Sequence, residues 1–243
     1  EIFLERIPAG DPALSALLAA EAERRPVTYV SDGTARVCGA QARPGPTSAV
    51  VKRYEPVPRL VIVGGDPTAL AIAELGVKSG FETTLIRPKG PQMPPPIAGL
   101  AYRREEPGEA LAAVGLDPWT HVAVATHDLE TDRAALKAAL PSAAGYVGLL
   151  GARRRLAGRL DELKFEGMSE ATLARLHAPI GLDIGGKAPF EVAVPVIGEI
   201  TALRYARASG STSTTSPPAA AGAPDSRRSR ASETAKTLTS EES

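Results

Sequence analysis

A glycine-containing turn, residues 64–69, is the first segment whose residue types suit a chemical role. It follows a run of four apolar residues and precedes a helical pattern. The backbone amides of such a turn, together with a helix N-terminus, can hold a phosphate group. Gly64 and Gly65 suit this role, but Asp66 stands where a further glycine normally lets the backbone approach the phosphates. We therefore weigh a phosphate site against a turn that no longer binds a dinucleotide.

Arg87 directly follows the next strand-like run, residues 83–86, and it bears on which dinucleotide the turn could bind. Proteins that bind NAD usually carry an acidic residue there for the ribose hydroxyls, whereas an arginine can accept the 2′-phosphate of NADP. An NADP-dependent oxidoreductase is therefore one alternative. The sequence offers no evident pairing of a nucleophile with a base, so we predict no catalytic residues.

Two further turns follow strand-like runs. His127 lies in the first, where it can bind a ligand phosphate or transfer a proton, or simply cap the next helix together with Asp128. Gly151 and Arg153 lie in the second, where backbone amides and a guanidinium at a helix start can form an anion site. The alternative for Arg153 is a solvated basic helix face.

A long loop, residues 177–189, contains His177, Asp183, a lysine and three glycines, and it precedes another helical pattern. Loops of this composition often close over a ligand. Asp183 can instead bind amides of its own loop, and His177 can instead be structural.

Short strand-like runs at residues 60–63, 83–86, 121–125 and 146–150 alternate with helical patterns. This alternation predicts an α/β fold of the Rossmann-like, doubly wound type with a mainly parallel sheet. The predicted Rossmann domain covers residues 59–207, after a small α+β segment at residues 1–58. From residue 208 large apolar side chains are almost absent, which predicts a disordered tail at residues 208–243.

The composition limits the possible partners and compartments. The chain has 28 basic and 28 acidic side chains, so net charge gives no reason to expect nucleic acid or an anionic membrane as a partner. No apolar run reaches the roughly 18 residues of a membrane span. Cys38 is the one cysteine, which predicts no disulfide, no cysteine-based metal site and a reducing, cytoplasmic compartment. The chain begins without a methionine, so we expect a fragment.

Four segments, taken together, resemble the Rossmann domain of the xanthine dehydrogenase accessory (XdhC/CoxI) family. They are residues 60–64, 126–128, 146–154 and 177–185. The resemblance covers residues 55–206, and residues 1–58 resemble the end of the family's smaller N-terminal domain. It implies a factor, rather than an enzyme, that binds molybdenum cofactor and assists its insertion into xanthine dehydrogenase-type molybdenum hydroxylases. A homodimer, or a docking module that binds no ligand, is a further possibility.

Given this cofactor-binding role, we predict phosphate or pterin contacts from residues that share a position at the carboxyl ends of predicted strands: Gly64, Gly65, His127, Gly151, Arg153, His177 and Asp183. The sequence departs from the family pattern at several positions, namely Gly65 to Pro67, Arg87, Ala188 and Pro195. The family's N-terminal Ser-Gly-Gly-Cys segment has no match, since Cys38 lies in a different context. We therefore transfer no thiol role to Cys38.

Overall fold

A computed structural model describes residues 4–45, 48, 50–151 and 153–208 of the chain. The side chains of residues 153–155 and 208 lie outside this description, and so does the predicted tail from residue 209 onward. One compact unit extends to Tyr205.

The N-terminal part consists of one helix and a small antiparallel sheet. The elements are α1 (Pro12–Ala22), β1 (Val27–Ser31), β2 (Arg36–Gly39) and β3 (Val50–Tyr54). Asp11 fixes the start of α1, because its carboxylate accepts the N–H groups of Ala13 and Leu14 at 2.9 and 3.0 Å. The strand order is β2-β1-β3, with both pairs antiparallel.

The remaining elements build a six-stranded parallel sheet with helices on both faces. Its strands are β4 (Arg59–Gly64), β5 (Glu82–Ile86), β6 (Ala101–Arg103), β7 (Thr120–Ala125), β8 (Tyr146–Leu149) and β9 (Leu176–His177). Its helices are α2 (Pro67–Lys78), α3 (Pro107–Val114), α4 (Leu129–Ala139), α5 (Arg153–Phe165), α6 (Glu170–Leu173) and α7 (Pro189–Ala208). The strand order is β6-β5-β4-β7-β8-β9, and every neighbouring pair is parallel. The Rossmann-like fold predicted from the sequence is confirmed.

Each face of this sheet has its own apolar core. In β4, Leu60 and Ile62 pack under α2 and α7, whereas Val61 and Val63 pack under α3, α4 and α5. All four side chains are fully buried. A central parallel strand is covered on both faces, which is why its sequence is continuously apolar rather than alternating.

No helix in the described part of the chain is both long and apolar enough to cross a membrane. The described residues also contain no group of three or more histidine, cysteine or acidic side chains placed to hold a metal ion.

Candidate functional site

The candidate site lies at the carboxyl ends of β4 and β7, which are neighbours in the sheet. The helix that follows β4 packs on one face of the sheet, and the helix that follows β7 packs on the other. The chain therefore leaves these two strands in opposite directions and opens a crevice between them. Ligands of open α/β sheets bind in such a crevice.

Gly64 ends β4 at a point where only glycine fits. A β-carbon there would lie 2.1 Å from the carbonyl oxygen of Ala125, its partner across the pair β4–β7. Its φ of +156° also lies in the region that favours glycine. The predicted tight turn at Gly64 is thus explained by close packing of the two strand ends.

Asp66 occupies the position in which a Rossmann fold normally holds a phosphate. Its Oδ1 accepts the N–H of Ala69 at 2.7 Å and caps α2. Its Oδ2 lies 3.0 Å from the Nε2 of His127, at the end of β7. The start of α2 is therefore already satisfied by a carboxylate of the chain itself, which leaves this helix end unattractive to a second anion.

Arg87, at the end of β5, reaches back over the same turn. A β-carbon on Gly65 would lie 2.1 Å from the Nε of Arg87, so the guanidinium lies directly on the glycine backbone. From the adjoining loop, the Nζ of Lys89 lies 3.4 Å from the Oδ2 of Asp128. Two basic side chains from the β5 end thus lie at the crevice, Arg87 on Gly65 and Lys89 beside Asp128.

A buried cluster that the sequence did not reveal supports the turn after β7. The hydroxyl of Thr126 lies 2.6 Å from the Oδ1 of Asp132, and the Nη1 of Arg159 lies 2.8 Å from the Oδ2 of Asp132. Burial raises the pKa of the Asp132 carboxyl, against the opposing effects of Thr126 and Arg159. The same guanidinium also lies against Gly151, where a β-carbon would be 3.5 Å from its Nη1. Asp132 and Arg159 therefore connect the turn after β7 to the turn after β8.

Gly151 is exposed in the turn that follows β8, and Arg153 is the first residue of α5. The backbone places Arg153 at the same sheet edge as the crevice, while its side chain lies outside the described residues.

His177 lies on β9 and takes part in a second cluster. Its Nδ1 is 2.8 Å from the Oε1 of Glu199 on α7, and its ring stacks on Tyr146 with the centroids 4.5 Å apart. The other carboxylate oxygen of Glu199 accepts the Tyr146 hydroxyl at 2.5 Å and the Gly181 N–H at 2.8 Å. Burial alone would raise the pKa of Glu199, but these three hydrogen bonds outweigh it and lower the pKa.

Asp183 lies exposed in the loop between β9 and α7. The end of this loop is held by Glu191, whose Oε2 accepts the N–H groups of Lys187 and Ala188 at 2.9 and 3.0 Å. A glutamate at the third helical position can satisfy the cap residue in this way. Helix α7 therefore begins normally although Ala188 offers no capping side chain.

The predicted residues thus fall into three groups. Gly64, Gly65 and His127 share the crevice; Gly151 and Arg153 form the next turn at the same edge; His177 and Asp183 belong to the connection between β9 and α7. The sequence missed Asp132, Arg159 and Glu199, because each lies in a helix among other charged or apolar residues with no motif around it. The Asp66-Pro67 pair is typical of a helix start and could have indicated the cap.

Comparison with known proteins matches the model of the XdhC Rossmann domain to residues 60–200. The chain is 31% identical over 178 residues to "Uncharacterized protein YqeB" of Escherichia coli, covering 72% of this chain and 31% of that protein. It is 27% identical over 169 residues to a probable xanthine dehydrogenase subunit of Bacillus subtilis, covering 65% of this chain and 46% of that protein. It is 26% identical over 207 residues to "Molybdenum cofactor insertion chaperone PaoD" of Escherichia coli, covering 84% and 59%.

The chain thus spans between about a third and three fifths of the length of these curated relatives. A solved structure of a xanthine dehydrogenase from Bacillus halodurans superposes with a TM-score of 0.67 at 19% identity, covering 83% of this chain and 69% of that one. At this identity the superposition supports the fold alone.

Proposed function

The chain belongs to the family of the XdhC Rossmann domain, and from this premise we propose that it binds molybdenum cofactor and assists its insertion into a molybdenum hydroxylase of the xanthine dehydrogenase type. The observation that carries the proposal is the match over residues 60–200, because that segment contains all seven residues proposed to bind the cofactor. The name of the relative in Escherichia coli, a cofactor insertion chaperone, supports the same role. We place this role in the cytoplasm.

The cofactor carries a phosphate group and a pterin ring, and we assign these two parts to different residues of the candidate site. Asp66 fills the start of α2, so we assign the phosphate to the neighbouring turn, where the backbone of Gly151 and the guanidinium of Arg153, the first residue of α5, would hold it. Gly64, Gly65 and His127 would line the crevice beside it. His177 and Asp183 would contact the remaining part of the cofactor from the connection between β9 and α7.

An NADP-dependent oxidoreductase is the less favoured alternative. Arg87 is available to a 2′-phosphate in principle, yet its side chain lies on Gly65, where a dinucleotide backbone would have to approach. Asp66 adds a negative charge at the same place.

A docking module is the second candidate, and one observation favours it. Phe190 and Val194, one turn apart near the start of α7, are 49% and 53% exposed. Leu182 lies next to them, since a β-carbon on Gly198, one turn after Val194, would be 3.2 Å from its Cδ1. An exposed apolar surface of this kind suits contact with the target enzyme or with a second copy of the chain.

The test is equilibrium binding of molybdenum cofactor to the chain under anaerobic, reducing conditions, with NADPH titrated in parallel. We expect cofactor binding without NADPH binding, and weaker cofactor binding after Arg153→Ala or His177→Ala. Unchanged affinity in both variants would refute the site. NADPH binding that is lost with Arg87→Ala would favour the oxidoreductase. Complex formation with a molybdenum hydroxylase in the absence of any cofactor binding would favour the docking module.

A further inference from the structure

Glu199 is placed to decide which nitrogen of His177 carries the proton. Its Oε1 faces the Nδ1 of His177 at 2.8 Å, and hydrogen bonds hold its pKa below the ordinary value although burial opposes them. A carboxylate accepts hydrogen bonds and cannot donate them, so of the two neutral tautomers of the ring it selects the one that carries its proton on Nδ1.

The rest of the cluster fixes the carboxylate itself. Oε2 receives two donors, the Tyr146 hydroxyl and the Gly181 N–H. Tyr146 is buried and also covers the His177 ring at a centroid distance of 4.5 Å. The glutamate therefore has little freedom to turn away from the histidine.

The free nitrogen of the ring is Nε2. No hydrogen bond to it is found within the described residues, and about a third of the His177 side chain, 34%, is exposed. In this neutral tautomer Nε2 offers a lone pair to solvent. It is then suited to an N–H or O–H donor and unsuited to a phosphate oxygen.

We propose that Glu199 is the positioning residue that presents His177 Nε2 as a hydrogen-bond acceptor for a donor group of the pterin ring. This inference rests on the proposed function. It adds the chemical class of the contact at His177 and a residue that the sequence analysis did not identify.

The decisive variant is Glu199→Gln, which has the same shape. Two donors face Oε2, so the amide oxygen should take that position and the amide NH2 should face the histidine. The NH2 group donates to Nδ1, which moves the ring proton to Nε2. The variant thus converts Nε2 from an acceptor into a donor without removing any atom of the histidine.

The experiment measures two quantities on the whole chain. The first is the tautomer of His177, from the 15N shifts of its ring nitrogens at a pH where the ring is neutral. The chain has only three histidines, so comparison with His177→Gln assigns the signals. The second is equilibrium binding of molybdenum cofactor, with 6-hydroxymethylpterin and inorganic pyrophosphate as separate probes.

We expect the proton on Nδ1 in the unchanged chain and on Nε2 in Glu199→Gln, with about tenfold weaker cofactor binding in the variant. The pterin probe should shift the Nε2 signal, and pyrophosphate should not. Tyr146→Phe, which keeps the stacked ring, should retain the Nδ1 proton. Glu109→Gln, an exposed glutamate on α3, is the control for a change of charge alone.

Three results would overturn the inference: a proton on Nε2 in the unchanged chain, an unchanged tautomer in Glu199→Gln, or equal cofactor affinity despite a moved proton. If the unchanged chain binds no cofactor, the proposed function fails and the pterin contact fails with it. The tautomer then shows separately whether Glu199 positions the ring.

Discussion

The Oδ2 of Asp66 lies 3.0 Å from the Nε2 of His127, across the crevice between the ends of β4 and β7. These residues precede helices on opposite faces of the sheet, so their contact joins the two halves of the fold at the point where ligands normally enter. The same aspartate caps α2 through its other oxygen. One side chain thus occupies the helix start at which a Rossmann fold binds a dinucleotide phosphate, and it bridges the ends of β4 and β7.

Removing the charge of Asp66 should therefore make the crevice more receptive to anions. Asp66→Ser keeps a capping hydroxyl for α2 but loses the carboxylate. We expect no measurable NADPH binding to the unchanged chain, and detectable NADPH or pyrophosphate binding in the variant, by fluorescence and calorimetric titration. A charge at a helix start contributes about 0.3–1 kcal/mol of interaction free energy, so the affinity for these anions should rise several-fold in Asp66→Ser.

Glu74→Gln is the matched control, because it removes a carboxylate from the opposite end of the same helix. It should leave anion binding unchanged. Tight NADPH binding to the unchanged chain would contradict this account of Asp66.

The pair of Asp132 and Arg159 should be important for stability. Arg159→Met leaves a carboxylate that is 2% exposed without its cation, which costs about 3 kcal/mol of unfolding free energy at neutral pH. The double variant Asp132→Asn with Arg159→Met should regain most of this loss, because neither charge then remains. Urea unfolding measures all three free energies.

The unfolding free energy that Arg159→Met loses should increase as the pH rises. Burial raises the folded-state pKa of Asp132 above its ordinary value of 3.8, so its protonated form favours the fold below pH 3.8. This contribution disappears as the pH rises through the folded-state pKa, and Arg159→Met should raise that pKa further. The variant should therefore lose more stability at pH 8 than at pH 4. Arg133→Met is the control, because Arg133 pairs with Glu166 at the surface; it should lose less stability and show no such dependence on pH. If Arg159→Met is as stable as the unchanged chain, the stabilising role of Asp132 and Arg159 is refuted.

Much of the fold was predictable because a doubly covered parallel strand leaves a plain pattern. Residues 60–63 and 122–125 are apolar throughout, since neither face of these strands meets water. The strands missed were β2 (Arg36–Gly39), β3 (Val50–Tyr54) and β9 (Leu176–His177), which all lie at sheet edges. Edge strands are short and partly exposed, so their sequences are hard to tell from loops.

The candidate site was less predictable, since its contacts depend on distances between elements far apart in the chain. Glu199 meets His177 across 22 residues, and Asp66 after β4 meets His127 after β7. Sequence spacing gives no measure of such contacts. By contrast, the role of Gly64 was predictable, because a strand end before a helix imposes the same tight turn in every fold of this type.

Tyr29, in β1, should titrate far above an ordinary tyrosine. Its burial, followed by the hydrogen bond and charge of Glu5, raises its pKa to about 12 from 10. A raised folded-state pKa stabilises the fold fully below pH 10, and this contribution is lost as the pH rises from 10 through about 12. The absorbance change at 295 nm near pH 10 should therefore be equal in the unchanged chain and in Tyr29→Phe, because Tyr29 ionises only at higher pH.

Urea unfolding at pH 9 and pH 11 should then show that the unchanged chain loses more stability than Tyr29→Phe. Tyr205→Phe, at an exposed tyrosine, serves as the control. Equal losses for the unchanged chain and Tyr29→Phe would disprove the raised pKa of Tyr29.

Two glycine-to-alanine changes should act in opposite directions. A β-carbon on Gly148, in β8, would lie 2.6 Å from the Cδ1 of Ile180 and 2.8 Å from the Cε1 of Tyr146. Gly148→Ala should therefore cost about 1–3 kcal/mol through overpacking, and Ile180→Val in the same chain should recover part of this cost. Gly158, in α5, has no atom within 4 Å of such a carbon, so Gly158→Ala should gain about 0.5–1 kcal/mol from helix propensity.

Gly148→Ala also tests what supports the cluster of His177, Glu199 and Tyr146, because Gly148 on β8 pairs with His177 on β9. Pushing Tyr146 and Ile180 apart should disturb the stacked histidine, so the ring signals of His177 should move in Gly148→Ala and stay in Gly158→Ala. If Gly148→Ala is as stable as the unchanged chain and leaves the His177 signals in place, the close packing of β8 against residue 180 is wrong, and with it the rigid support of the cluster around Glu199.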